Sequence, residues 1–385
     1  MGRKRTPGLR FRGGVWHVEK RICGVPVYES TGAGTLEEAE RYLARRSEEI
    51  RAAQVYGQRP KHIWREAAIK YLEEAKKATL IDDAAHLEKL DSFIGGLPLH
   101  QIHDGTLATF IRARKAQPVK DRTVNAALKV VTHILRLAAR KWRDENGLTW
   151  LETPPLITML PEDDASEPYP LDWDEQQRLI TELPEHLVEP ALYGVNVGCR
   201  EQEIVGLRWD WEVQVPELDA SVFITPKTAK GRKVGEEHVQ VLNDVALSII
   251  ERRRALRPAV HDDKCASLSG DDCNCLKSYV FGFRGLRLAK LHTSAWKKAW
   301  KKAGLPTGPE WKRGVHNLRH TCARRLRAAG VSVETRKAIL GHTNADITTH
   351  YSAAELEELI EAVNAPIRNE SGKTPALTLL KRKAG

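Results

Sequence analysis

Several residues in the C-terminal half are of types and spacings that suit work on a phosphodiester. Arg200, in "VGCREQEIVGLRW", follows a Gly-Cys turn and opens an apolar helix, so its guanidinium and the helix N-terminal amides point toward one anion. A guanidinium donates two parallel hydrogen bonds to two nonbridging phosphate oxygens. In "GVHNLRHTCARRL", His316 and Arg319 are three apart and share a face at a helix start, with His320 turned away. A histidine there donates to a phosphate oxygen or moves a proton near neutral pH, and the second arginine closes a clamp with the first. In "LGHTNADITTHYSAAELEEL", Gly341 ends a helix just before His342, and Tyr351 follows. A phenol, with an ordinary pKa near ~10, is a poor nucleophile until cations and hydrogen bonds stabilise the phenolate. Lys227, in the polar "PKTAKGRK", sits between two strand-like runs with Lys230 and Lys233 beside it. An ammonium on such a loop can reach an anionic partner and give up a proton. Each residue alone has a plainer reading: a surface ion pair for Arg200, a basic helix face for His316 and Arg319, a cap for His342, packing for Tyr351.

The elements that must position these groups follow from patterning. Residues 170–365 read as a mixed, mostly helical domain. Asp172 with Glu175 opens a first helix and a second ends near Gly198. Two strand-like runs, "SVFIT" and "HVQVL", read as a hairpin or short meander around the lysine loop. The stretch from Ala246 to Asn364 then reads as helical apart from an irregular insert, Pro258 to Ser278. Upstream, residues 1–57 read as three strands (Leu9 to Arg12, "VWHVEKRI", "VPVYEST") and a helix capped by Thr35 and Glu38. Residues 60–147 read as a helical bundle, with helices at Ile63 to Lys77, Asp83 to Phe93, Leu107 to Lys115 and Arg122 to Arg143. A proline-rich, acidic linker, 148–169, separates the bundle from the C-terminal domain, and a tail, 366–385, ends in a "KRK" run. The expected fold class is therefore mainly α with small β-sheets.

Charge narrows the partner. The 385-residue chain carries 61 Lys and Arg against 51 Asp and Glu, a net charge of +10. Lys277 to Gly330 alone holds 14 Lys and Arg with one acid, Glu310, interleaved with Trp296, Trp300 and Trp311. A merely solvated helix face would carry acids at i,i+4, so a polyanion is expected, bound by displacing counterions from phosphates. With no apolar run long enough to span a membrane and no signal-peptide core, a soluble, unexported, cytoplasmic protein is expected. Six cysteines in so long a chain suit a reducing compartment.

Taken together, the four quoted segments resemble the tyrosine recombinase family, the phage-type integrases, in order, spacing and residue type over Pro170 to Ala365. The resemblance implies that 1–57 is an arm-type DNA-binding module and 60–147 a core-DNA-binding domain. It implies that Arg200, Lys227, His316, Arg319, His342 and Tyr351 are catalytic, with Glu203 supporting Arg200. Tyr351 is then the nucleophile that forms a 3′-phosphotyrosine and frees a 5′ hydroxyl. Lys227 protonates that leaving oxygen, and Lys230 and Lys233 compete for the assignment. The implied partners are double-stranded DNA, a homotetramer on it, and DNA-bending accessory proteins. The implied function is site-specific integration or excision of a phage or other mobile element, without ATP or metal. No Gly-x-x-x-x-Gly-Lys-Ser/Thr or His-Glu-x-x-His segment contradicts that. A relaxing type IB topoisomerase and a DNA-binding-only protein of the same fold are the alternatives, and the full set of six argues against the second. The insert holds His261, Cys265, Cys273 and Cys275, ligand types for zinc, but their irregular spacing favours a plain loop.

Overall fold

A computed structural model describes residues 6–145, 147–226, 237–258, 275–341 and 353–368. Lys227, Lys230, Lys233, His261, Cys265, Cys273, His342, Tyr351 and the tail beyond 368 lie outside the described residues. The chain divides into two compact units, Met1–Ala165 and Ser166–Gly385. Its fold is mainly α with small antiparallel sheets, as the patterning predicts.

The first unit opens with β1 (Leu9–Arg12), β2 (Val15–Ile22) and β3 (Val25–Ser30), an antiparallel meander. Both of its turns are two residues long with positive φ throughout, 57° and 84° at Gly13-Gly14 and 48° and 85° at Cys23-Gly24. Turns of that handedness match the strand twist and set the register without further help. Leu9, Val18, Ile22 and Val27 pack on Leu43 and Ile50 of α1 (Leu36–Tyr56), which Thr35 caps by accepting from the Glu38 N–H. A bundle follows: α2 (Trp64–Glu74), α3 (Leu80–Ile94), α4 (Asp104–Lys115) and α5 (Asp121–Arg140) around Trp64, Leu90, Phe110, Leu128 and Ile134. The proline-rich stretch after it is no free tether. Leu151 and Ile157 enter the bundle core, and the Asn125 amide clamps the Leu160 backbone, donating to its carbonyl at 2.9 Å and accepting its N–H at 2.8 Å. Prolines fit there because that backbone joins no ladder.

The second unit contains α6 (Trp173–Glu182), α7 (Glu185–Val197), α8 (Glu201–Val205), β4 (Glu212–Val215), β5 (Ala220–Thr225), β6 (His238–Val241) and α9 (Asp244–Ala255). It continues through β7 (Gly282–Phe283), β8 (Leu286–Arg287), α10 (Ser294–Lys302), α11 (His316–Ala328), α12 (Val333–Leu340) and α13 (Ala353–Arg368). The expected hairpin is a three-stranded sheet in the order β4-β5-β6. The extra strand, "EVQV", is too short for its alternation to stand out between a tryptophan-rich turn and Pro216. The stretch read as helix after Ser278 opens instead with the β7-β8 ribbon. Its two-residue strands flank Arg284-Gly285 at φ 53° and 83°, again a turn that only pairing reveals.

The basic segment resolves into two faces. Trp296, Trp300 and Trp311 are core residues at 0%, 1% and 5% exposure, with indole N–H groups of the first two donating to the Arg313 and Pro306 carbonyls. Lys297, Lys298, Lys301 and Lys302 are left outside on α10. Among the described residues, Lys302 alone of this segment's cations pairs with a carboxylate, Glu182 at 3.3 Å. Unpaired surface cations keep their full attraction for phosphate. Among the described residues, no helix is long and apolar enough to cross a membrane.

Candidate active site

The site begins where α7 ends. Gly198 caps that helix at φ 72°, and a Cβ there would stand 2.7 Å from Leu340 Cδ2 and 2.9 Å from Cys322 Sγ, so this turn admits only glycine. Its carbonyl receives a hydrogen bond from Arg319 Nη1 at 2.8 Å. Arg319 is 5% exposed, and its Nη2 is buried with no hydrogen-bond partner. A buried donor left unmade costs roughly 1–3 kcal/mol, and more on a charged group, which an arriving oxyanion would recover. Burial, then the nearby Arg200 charge, lowers the Arg319 pKa.

Arg200 is the residue before α8. Its backbone N–H donates to Glu203 Oε2 at 2.6 Å, while Nη1 lies 3.4 Å from Oε1. The Glu203 side chain is wholly buried, whereas a third of the Arg200 side chain is exposed. Burial on its own raises the Glu203 carboxyl, but the His238 imidazole, the Arg200 N–H and the Arg200 charge outweigh it and bring the group down to about 2. Glu203 is therefore an anion that steadies Arg200 from behind, with the guanidinium still facing outward. The helix behind it, α8, is a single turn of five residues, so support comes from Glu203 rather than from a helix dipole.

His316 is the first residue of α11 and opens to solvent. Desolvation by its neighbours, followed by Arg319, Lys312 and Arg200, lowers its pKa. Arg200 thus lies close enough to raise the cost of positive charge on both His316 and Arg319, the condition under which an anion binds. His320 is not turned away, as its spacing suggests; it packs edge-on against His316 with ring centroids 4.7 Å apart. One helical turn separates them, so the rings meet whenever both lean the same way. Burial, then His316 and Lys312, takes His320 down to about 4, and its Nε2 is buried without a partner.

Two supporting residues escape a reading of the sequence alone. Glu201 Oε1 accepts the backbone N–H groups of Leu291 and His292 at 2.7 and 2.8 Å, fastening the approach to α10 beside the arginines. His238, on β6, lies 3.8 Å from Glu203 of α8. Neither carries a local signal, because each acts on a partner tens of residues away. Of the insert's ligand types, Cys275 is described and buried, and no group of three or more His, Cys, Asp or Glu among the described residues could hold a metal.

Two guanidiniums and an imidazole gathered at one opening suit an oxyanion such as a phosphate. Residues 180–358 match the phage integrase family. The integrase of Salmonella phage P22 is 21% identical over 336 residues, covering 79% of this chain and 80% of that one. A tyrosine recombinase XerC-like protein of Caldanaerobacter subterraneus subsp. tengcongensis is 28% identical over 211 residues, 50% of this chain and 53% of that one. Among solved structures, a lambda integrase dimer bound to a COC′ core site has the same fold, with TM-score 0.52 and 14% identity over 97% of this chain and 98% of that one. So has the Tn1549 transposon integrase in complex with transposon right end DNA, with TM-score 0.55 and 15% identity over 77% and 99%. Over residues 180–358, most of its second unit, the chain carries a phage integrase family domain. It is a site-specific DNA recombinase.

Proposed function

We propose that this recombinase breaks and rejoins DNA through Tyr351, integrating or excising a phage or other mobile element. Arg200 and Arg319 hold the nonbridging oxygens of the scissile phosphate and His316 donates to it; His342 completes the set. The Tyr351 oxygen attacks phosphorus, the bond to the 5′ oxygen breaks, and Lys227 protonates that oxygen as it leaves. The products are a 3′-phosphotyrosine and a 5′ hydroxyl. A 5′ hydroxyl from the partner strand then attacks the phosphotyrosine and restores the phenol. Because one phosphoester replaces another, the exchange needs neither ATP nor an added oxidant or metal. The observation that carries the site assignment is Arg319 Nη2, a buried guanidinium donor with no partner, beside the outward-facing Arg200.

The domain reading goes with it: residues 1–57 bind arm sequences, 60–147 bind the core site, 170–365 carry the chemistry, and four protomers exchange strands in pairs with the help of DNA-bending proteins. The work is done in the cytoplasm, where the DNA is. The test is covalent trapping on nicked duplexes from DNA flanking the gene, in EDTA, with denatured protein resolved by gel. Wild type gives a slower, DNA-linked band. Tyr351→Phe binds the same duplex and gives none; an adduct in that variant refutes the nucleophile assignment. Plasmid relaxation without recombinant products would favour a topoisomerase instead.

A further inference from the structure

His238 is the first residue of β6, and 1% of its side chain is exposed. Two separate parts of the second unit meet on its ring. Nε2 lies 3.0 Å from the carbonyl oxygen of Ile339, in the last turn of α12. A carbonyl only accepts, so Nε2 carries the hydrogen and donates it. The ring also fills the space where Gly341 lacks a side chain: a Cβ there would lie 2.6 Å from Cδ2 and 2.8 Å from Cγ and Nε2. Gly341 is at φ 58° and ends α12, and the residue that follows it in sequence is His342. On the opposite edge, Nδ1 faces Glu203 Oε1 at 3.8 Å, the same oxygen that stands 3.4 Å from Arg200 Nη1.

The strand itself adds the third link. His238 is paired with Thr225, the last residue of β5, and the connection between these two residues carries Lys227. The next inward residue of β6, Gln240, donates to the Thr225 hydroxyl at 2.6 Å and accepts from the Tyr193 hydroxyl at 3.0 Å. The hairpin base is thus fixed on the α7 side by Gln240 and on the α12 side by His238.

We infer that His238 is a positioning residue for strand cleavage, holding the Arg200 buttress, the end of α12 and the base of the lysine hairpin in one register. It is placed to touch the residues that hold Arg200 and the end of α12, with no need to touch DNA. The inference rests on the catalytic reading above. Its physical core is the shared oxygen. Glu203 Oε1 is a buried anionic acceptor 3.4 Å from Arg200 Nη1 and 3.8 Å from His238 Nδ1; the second distance is too long for a hydrogen bond, and what faces the carboxylate there is the polar edge of the ring. With an apolar edge in place of the imidazole, the buried carboxylate shifts and the Arg200 guanidinium it backs shifts with it. At the same time the Ile339 carbonyl loses its donor and the space beside Gly341 opens, so the turn leading to His342 loses its wall. Supporting residues of this kind change rates by roughly 10- to 100-fold through the groups they orient.

The experiment uses full-length protein and the nicked duplex that traps the wild-type adduct. Equilibrium binding and the single-turnover rate of adduct formation are measured for wild type, His238→Phe and His238→Asn, each checked for an unchanged melting profile. His238→Phe fills the space and donates nothing; it should bind within about 3-fold of wild type and cleave roughly 100-fold more slowly. His238→Asn retains a donor for the Ile339 carbonyl and should recover part of that loss. A third arm replaces the scissile phosphate by a methylphosphonate. That group is neutral, so the charge Arg200 neutralises is absent and the gap between wild type and His238→Phe should shrink. A His238→Phe protein that cleaves both substrates at wild-type rates overturns the inference. So does one that loses binding in proportion to rate, or shows the same deficit on both substrates, since that is what a fold defect does. If wild type itself yields no adduct on any flanking duplex, the catalytic reading fails first and this inference falls with it.

Discussion

Replacing Glu203 by Gln removes a negative charge and little else, at a side chain that has no exposed surface. Its carboxyl is brought from 4.5 to about 2 in the fold, because His238 and Arg200 together outweigh the burial that opposes ionisation. At about 1.4 kcal/mol for each tenfold change in proton affinity, the ionised carboxylate contributes on the order of 3 kcal/mol relative to the unfolded chain. A depressed carboxylate gives a definite sign. The folded protein binds this proton less readily than the unfolded one, so the contribution is complete above pH 4.5 and declines as pH falls through about 2. Integrated to pH 3.5, about 2 kcal/mol should remain. Glu203→Gln lacks the contribution at every pH. For a unit of this size, each kcal/mol moves the midpoint by roughly 2–4 °C, so the variant should melt roughly 6–12 °C lower at pH 7. Differential scanning calorimetry of full-length protein, following the transition of the second unit, measures this at pH 7, 5 and 3.5, and the gap should narrow only at the lowest. Coincident melting at pH 7, or a gap that does not change with acid, refutes the electrostatic account of Glu203. A further consequence is kinetic: a Gln at 203 holds Arg200 less firmly, so adduct formation should slow even at temperatures where the variant is fully folded.

Arg319→Lys should leave DNA affinity within about 3-fold and lower the cleavage rate by roughly 10²–10³, because a single ammonium does not donate to the Gly198 carbonyl and to the phosphate in one fixed geometry. Single-turnover trapping beside equilibrium binding checks it, and a rate near wild type would count against a clamp role for Nη2. His320 gives a second acid-sensitive window. Burial, then His316, lowers it from 6.5 to about 4, so its unfolded form takes up a proton before the folded one does. Stability should hold above pH 6.5, fall between there and about 4, and level off below. His320→Asn should lose less melting temperature between pH 7 and 4.5 than wild type does; equal losses would refute the buried, neutral assignment.

The residues themselves dictated whatever depends on near neighbours. Thr35 with Glu38 and Asp172 with Glu175 cap helices where those pairs stand, since the bonds span three residues. The strands of the first sheet lie where alternation and paired turn residues place them. The amphipathic α10 has its lysines outside, and the spacing of His316 and Arg319 puts them on one helix. Folding decided what depends on contacts distant in sequence. Arg319 is aimed by the carbonyl of Gly198, 121 residues away, and His238 meets Ile339 across 101. The tryptophans of the basic segment are core rather than surface, β4 and the β7-β8 ribbon exist because partners pair with them, and His320 leans onto His316 rather than away. Short strands and buried ion pairs leave almost no trace in local composition. Their energy comes from desolvation and pairing, which are properties of the packed chain and not of any one stretch of it.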